Sequence, residues 1–201
     1  MNNYNEVIKS REGITLNKLD TNVPLIVIDV QKAFDDKSWG KRNNPFAEKN
    51  IEKLIEHWNS HQRLVIYVKH ISKNKESLFH PKNETSEFKE MITPLPNDMI
   101  ITKSVNSAFI GTTLEEILRK RNCPNIVITG LTTNHCVETT ARMAGNLGFN
   151  PYLVSDATAT FDRQSLSGET LTAEKIHEMT LANLHEEFAI IKTTEEIVAM
   201  L

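Results

Sequence analysis

Ile126-Val127-Ile128-Thr129-Gly130-Leu131-Thr132-Thr133-Asn134-His135-Cys136 passes from an apolar, β-branched run through a glycine into a polar stretch and a cysteine. The first four residues read as a buried strand, and Gly130-Leu131 as a tight turn. Cys136 to Leu147 reads as a helix. Its small residues Ala141, Ala144 and Gly145 permit close approach to a sheet, and Gly148 ends it. Cys136 therefore sits at or near a helix N-terminus, where the dipole and free N–H groups favour a thiolate.

The same alternation extends in both directions. Val23–Ile28, Leu64–Val68, Met99–Thr102, Tyr152–Val154 and Phe188–Ile191 are further short apolar runs. Runs of this kind, with little polar alternation, suit parallel strands buried on both faces. Helical spacing appears between them. Phe46–Trp58 carries Ile51, Leu54, Ile55 and Trp58, and Leu114, Ile117 and Leu118 repeat the pattern behind a Thr113/Glu116 capping box. Leu171–Leu184 is the last long helix, with a short one over Glu195–Met200. Strand alternating with helix implies right-handed crossovers and a doubly wound sheet covered on both faces. Gln31–Pro45, Ile71–Pro96 and Ala157–Thr170 are polar and loop-like. The first two follow strands, where loops at carboxyl ends build the site. Ile71–Asp98 is too long for an ordinary loop and is expected to fold over the site or meet a partner chain.

With 201 residues, 39% hydrophobic and 24% charged, one soluble domain is the natural reading, and no linker or repeat divides the chain. A net charge of -3, with basic residues dispersed, gives no footprint for nucleic acid. No apolar run approaches a membrane span, and Met1–Ser10 is polar, without a secretory h-region. Cys123 and Cys136 read as free thiols in a reducing, cytoplasmic setting. Cys123, before Pro124 at a helix-to-strand junction, reads as a small buried hydrophobe.

Three polar residues stand just past strand ends. Asp29 closes the first apolar run, Lys103 the third, and Cys136 follows the fourth. A carboxylate there is costly unless paired or used. It could accept the thiol proton, and an ammonium beside both would hold them. Each also has an ordinary reading, Asp29 as a loop cap and Lys103 as a snorkelling surface lysine. Residue types alone do not single out these two over other polar groups. His135 adjoins Cys136, but neighbouring helical residues point about 100° apart, which places it poorly as a base. His70 ends the second strand and either lines the pocket or fills the strand end.

The segment Gly130–Ala144 resembles the nucleophile signature of the isochorismatase-like cysteine hydrolases. Asp29-Val30-Gln31-Lys32-Ala33-Phe34 resembles that family's first motif. Lys103 with Asn106, Ser107, Ala108 and Phe109 resembles its lysine segment, and Ser155-Asp156-Ala157 its late Asp-Ala motif. The resemblance runs from about residue 22 to 192. It implies a single isochorismatase-like domain over 1–201: a three-layer αβα fold with a doubly wound six-stranded parallel sheet in the order 3-2-1-4-5-6. It also implies a catalytic triad, with Asp29 as base, Lys103 as bridging lysine and Cys136 as nucleophile. A non-proline cis peptide at Leu131–Thr132 is implied too, with the backbone N–H groups of Thr132 and Cys136 serving the oxyanion.

The resemblance further implies hydrolysis of an amide or lactam C–N bond in a small molecule through a thioester on Cys136. The Cys-Val-Glu-Thr-Thr-Ala-Arg form is similar to the streptothricin-hydrolase-like and general cysteine-hydrolase branch. The Asp-x-His metal element of nicotinamidases has no counterpart after Asp29, so neither a metal nor another cofactor is expected. Phe34, Trp39, His70, Phe109, His135 and Phe161 are the candidate substrate-binding residues. The competing classes are vinyl-ether hydrolysis of an isochorismate-like substrate and a non-catalytic binding protein retaining the fold. A nucleotide-binding site is disfavoured, since no Gly-x-Gly-x-x-Gly turn follows the first strand.

The family resemblance, with Trp39, Phe46, Phe79 and Phe88 in polar segments, points to a homo-oligomer, dimer or tetramer. Sedimentation should give a mass above that of one chain; a value near 22.9 kDa across micromolar concentrations would contradict this expectation.

Overall fold

The computed structural model describes residues 18–96 and 98–201. The stretch Met1–Ser10, read for a signal segment, lies outside the described residues. Six strands form one sheet: β1 (Leu25–Ile28), β2 (Val65–His70), β3 (Met99–Lys103), β4 (Asn125–Leu131), β5 (Asn150–Ala159) and β6 (Ile190–Lys192). All pairings are parallel, in the order β3-β2-β1-β4-β5-β6. The doubly wound topology expected from the alternating pattern is the one observed.

The helices are α1 (Ala47–Ser60), α2 (Leu114–Lys120), α3 (Glu138–Asn146), α4 (Ala173–Leu184) and α5 (Thr194–Ala199). Alternate side chains of β1 divide between two cores, as a strand's period of two requires. Ile26 and Ile28 join Leu114, Leu118, Val137, Ala141, Ala144 and Leu184, so α2, α3 and α4 cover one face. Leu25 and Val27 join Ile51, Leu54, Trp58 and Ile197, so α1 and α5 cover the other. This is the three-layer αβα sandwich. Trp58 is fully buried, and its indole N–H donates to the Val23 carbonyl at 3.0 Å.

Several local expectations are corrected. The Thr113/Glu116 capping box does not form: the Thr113 side chain makes no cap bond, and Glu116 instead pairs with Lys120 at 2.7 Å. A capping box is present at Thr193 and Glu196, ahead of α5. The helix expected from Cys136 begins as a wide π-type turn over Thr133–Val137, and regular α-helix starts at Glu138. Strand β5 continues through Ala157–Ala159, expected as loop, because a bulge shifts its register and Thr158 then pairs with Gly130. The bulge turns Ser155-Asp156 towards the neighbouring elements. Asp156 Oδ1 accepts from the Thr194 N–H and hydroxyl, both at 2.8 Å, and its carbonyl accepts from Asn50. The late Asp-Ala motif thus anchors α5 and α1.

Gly130 is where the sheet tolerates no side chain. Its φ is +122°, and a Cβ there would lie 2.0 Å from the Ile28 carbonyl oxygen. Gly130→Ala should destabilise the fold by about 3 kcal/mol or more. Urea unfolding measures this; a loss under about 1 kcal/mol would show that β1 can move aside.

Candidate active site

The carboxyl ends of β1, β3 and β4 converge. Asp29 follows β1 in the left-handed region, at φ 51°, a conformation Asp tolerates better than most residues. Its N–H donates to the Val68 carbonyl at 2.9 Å, which holds it to β2. Lys103 ends β3 in register with His70 of β2. Strands β3 and β1 stand about 9.6 Å apart with β2 between them, a gap that a lysine and an aspartate bridge by reaching towards each other. They meet at 2.6 Å, Lys103 Nζ to Asp29 Oδ2, with side chains 0% and 1% exposed.

Cys136 enters from the π-type turn beyond β4, behind a cis Leu131–Thr132 peptide. Its thiol, His70 and the Asp29 carboxylate bring one donor atom each to within 4.8 Å of one another. Among the described residues, Asp29 Oδ1 has no nitrogen or oxygen partner, although it is buried. The Lys103 ammonium also contacts His70 Nδ1 at 3.2 Å. It therefore stands among the groups that could otherwise bind a divalent ion, engaging the lone pairs of Asp29 and His70. The positive charge of this cluster comes from an ammonium.

Burial sets the resting protonation. It pushes the Cys136 thiol up to about 12, assisted by the Asp29 charge and opposed by Lys103. This outweighs the helix-terminus effect expected to favour a thiolate. Burial also raises the Asp29 carboxyl above its ordinary value, against the pull of Lys103, and so makes it a stronger base. His70 is taken down to about 4 by burial and by Lys103, so it is neutral at pH 7 and accepts from the ammonium.

A cavity of about 120 Å³ opens above this cluster, walled by Phe34, Trp39, Phe79, Asn106, Thr132 and His135 as well as Asp29, His70 and Cys136. Phe34 and Trp39 pack with ring centroids 5.1 Å apart, and Phe34 meets Phe79 at the same distance. Phe161 lies behind Trp39 and stacks on it at 5.5 Å. Phe109, expected at the site, is placed elsewhere. It is 8% exposed and stacks on Phe149 in the core under α2 and α3, because the turn after β3 directs it between helices. His135 is exposed at the cavity mouth.

Three loops hold this wall. Gln31 is fully buried; its amide donates to the carbonyls of His70 and Ser86 and accepts from the His70 N–H. Ladder bridges join Gln31 to Phe88 and Arg42 to Phe161. Ile71–Asp98 thereby folds over the site, as one of its two expected roles, and places Phe79 in the wall. Glu48 on α1 binds Arg42 through both oxygens and also Lys89. Burial opposes its ionisation, but these two cations prevail and hold its carboxyl down to about 2. Under the π-type turn, Thr133 is bonded to His177 of α4 at 2.9 Å, and His177 meets Asn44 at 3.4 Å. Sequence reasoning missed His177 because it lies 44 residues from Thr133, without a motif to link them.

A buried acid–ammonium pair thus lies beside a cysteine thiol at the carboxyl edge of a doubly wound sheet. Residues 24–196 match the Isochorismatase domain, and the chain belongs to the isochorismatase family. An uncharacterized isochorismatase family protein of Bacillus subtilis, YrdC, is 54% identical over 174 residues, 87% of this chain and 93% of that one. A crystal structure from the isochorismatase family of Chromobacterium violaceum superposes with a TM-score of 0.89 at 38% identity, covering 91% of this chain and 95% of that one. A cysteine hydrolase from Pseudomonas syringae pv. phaseolicola gives 0.81 at 25% identity, with 93% of both chains covered. Fold and family together support hydrolase activity.

The raised thiol pKa has a direct readout. With Cys123→Ala removing the second thiol, alkylation of Cys136 by iodoacetamide should still be rising beyond pH 10, since only thiolate reacts. A plateau reached below about pH 8 would mean that a resting thiolate is stabilised.

Proposed function

We propose that this protein is a cysteine-dependent amidohydrolase that cleaves a C–N bond of a small molecule, with Cys136 as nucleophile, Asp29 as base and Lys103 as their electrostatic partner. The observation that carries this reading is the buried Lys103–Asp29 pair, which leaves one carboxylate oxygen with no nitrogen or oxygen donor and the Cys136 thiol beside the carboxylate.

A substrate amide enters the cavity with its carbonyl carbon over Sγ. As the C–S bond forms, the thiol proton passes to Asp29, so a free thiolate never has to persist in a site that disfavours it. Lys103 stays protonated and keeps the developing charges from repelling. The carbonyl oxygen takes the negative charge and is received by the backbone N–H groups of Thr132 and Cys136. Asp29 then returns the proton to the nitrogen, the C–N bond breaks, and the amine leaves. Water, deprotonated by Asp29, attacks the thioester; the C–S bond breaks, the acid is released and the thiol regains its proton. Aromatic walls favour a flat or apolar substrate body and limit competing water.

Cys136→Ala and Cys136→Ser should each lower kcat by roughly 1,000-fold or more, with the fold intact by circular dichroism. Asp29→Asn, which keeps the shape and loses the base, should be nearly as severe, and so should Lys103→Ala. His135→Ala should be milder, and Cys123→Ala close to neutral. Assay against primary amides, ureido acids, cyclic amides and isochorismate, with mass spectrometry for an acyl adduct on Cys136, checks the scheme. Full turnover by Cys136→Ala would refute it, and isochorismate cleavage surviving that change would assign vinyl-ether chemistry instead.

A further inference from the structure

Arg163 lies just beyond Phe161, at the start of a two-residue antiparallel ladder between Arg163–Gln164 and Thr170–Leu171. Its guanidinium carbon sits 5.9 Å from the centre of the Trp39 ring, and Nη2 is 3.5 Å from His135 Nε2. Trp39 and His135 both line the cavity, so the guanidinium stands at its mouth.

Arg163 is only partly satisfied. Its Nε is buried and has no hydrogen-bond partner. Among the described residues, no carboxylate forms an ion pair with it. The nearby Glu138 is engaged by Arg142 on its own helix, at 2.9 Å from Nε and 2.8 Å from Nη2. Asp162, its neighbour in sequence, accepts from the Ala173 N–H and caps that turn. Arg42, the other guanidinium against this aromatic cluster, is held by both oxygens of Glu48.

The charges around the cavity do not balance. Asp29 is already engaged by Lys103 at 2.6 Å, Cys136 rests as a thiol, and His70 is neutral at pH 7. Burial, and then Arg163 itself, lower the His135 pKa, which keeps a second positive charge away. One fixed guanidinium remains, with a planar N–H edge suited to a carboxylate.

We infer that the cavity mouth is an anion subsite in which Arg163 binds a carboxylate on the substrate, making the substrate a small amide that carries an acid group. This rests on the proposed hydrolase reading for the word substrate, but the binding claim stands apart from it.

The test uses succinamate, an amide with a free carboxylate, and butanamide, an uncharged amide of similar length. In calorimetric titration of the Cys136→Ala protein, succinamate should bind at least ~10-fold more tightly than butanamide. Adding Arg163→Gln should cut that preference to within about 2-fold, and Arg163→Lys, which keeps charge without the fork, should retain part of it. No preference, or a preference that Arg163→Gln leaves unchanged, overturns the subsite. Arg163-dependent binding with no turnover of either amide by the unaltered protein would support the subsite and count against the hydrolase reading. Turnover of both amides without dependence on Arg163 would do the reverse.

Discussion

The contact between Lys103 and Asp29 sets the terms for everything around it. Removing two ions from water costs several kcal/mol each after relaxation, and their attraction repays this only when geometry is close and other lone pairs are met. Here the distance is short, 2.6 Å, yet Asp29 Oδ1 remains without a nitrogen or oxygen donor. A pair selected for stability alone would be expected to satisfy that oxygen. In place of such a donor the carboxylate has the Cys136 thiol, a weak donor that offsets little of the cost of burial. The sheet order follows the same constraint, since residues ending the first and third strands meet only when β2 alone separates them.

A second consequence concerns how the thiol is held. In an exposed pocket, an ammonium at this range would favour a thiolate. Burial reverses that balance: it keeps the Cys136 thiol protonated and the His70 imidazole neutral at pH 7, and it raises the Asp29 carboxyl. His70 contributes by accepting from Lys103, which fixes where the ammonium points.

Much of this was legible in the sequence, for a physical reason. Strands buried on both faces must be apolar throughout, so Leu25–Ile28 and Val65–Val68 announce themselves, and a polar residue at their ends stands out. That logic brought Asp29, Lys103 and Cys136 into view, while their selection over other polar groups came from motif resemblance. The cavity wall was less legible because its members lie on separate loops whose aromatic residues could face inward or outward. Phe34, Trp39 and His70 were found, whereas Phe109 was misplaced into the site from a position in the core. Arg163 and His177 carried no signal at all. Their meaning lies in what they touch, His135 and Thr133, and in the partners that Arg163 lacks.

The division between strand ends and loops also bears on what the fold relatives can teach. Asp29 and Lys103 stand at strand termini fixed by the sheet, and a TM-score of 0.89 shows that the Chromobacterium violaceum protein shares this fold. The aromatic wall comes from segments after β1 and β2, backed by Phe161 after β5 and joined by a few contacts such as the Gln31 amide and the bridge between Arg42 and Phe161. Such contacts can be exchanged without disturbing either hydrophobic layer. A cavity of about 120 Å³ is small enough for one aromatic side chain to change what fits. The shape of the cavity therefore resides in the part of the molecule that the fold constrains least. The loops that wall the cavity can change while the strands that end in Asp29 and Lys103 keep their order.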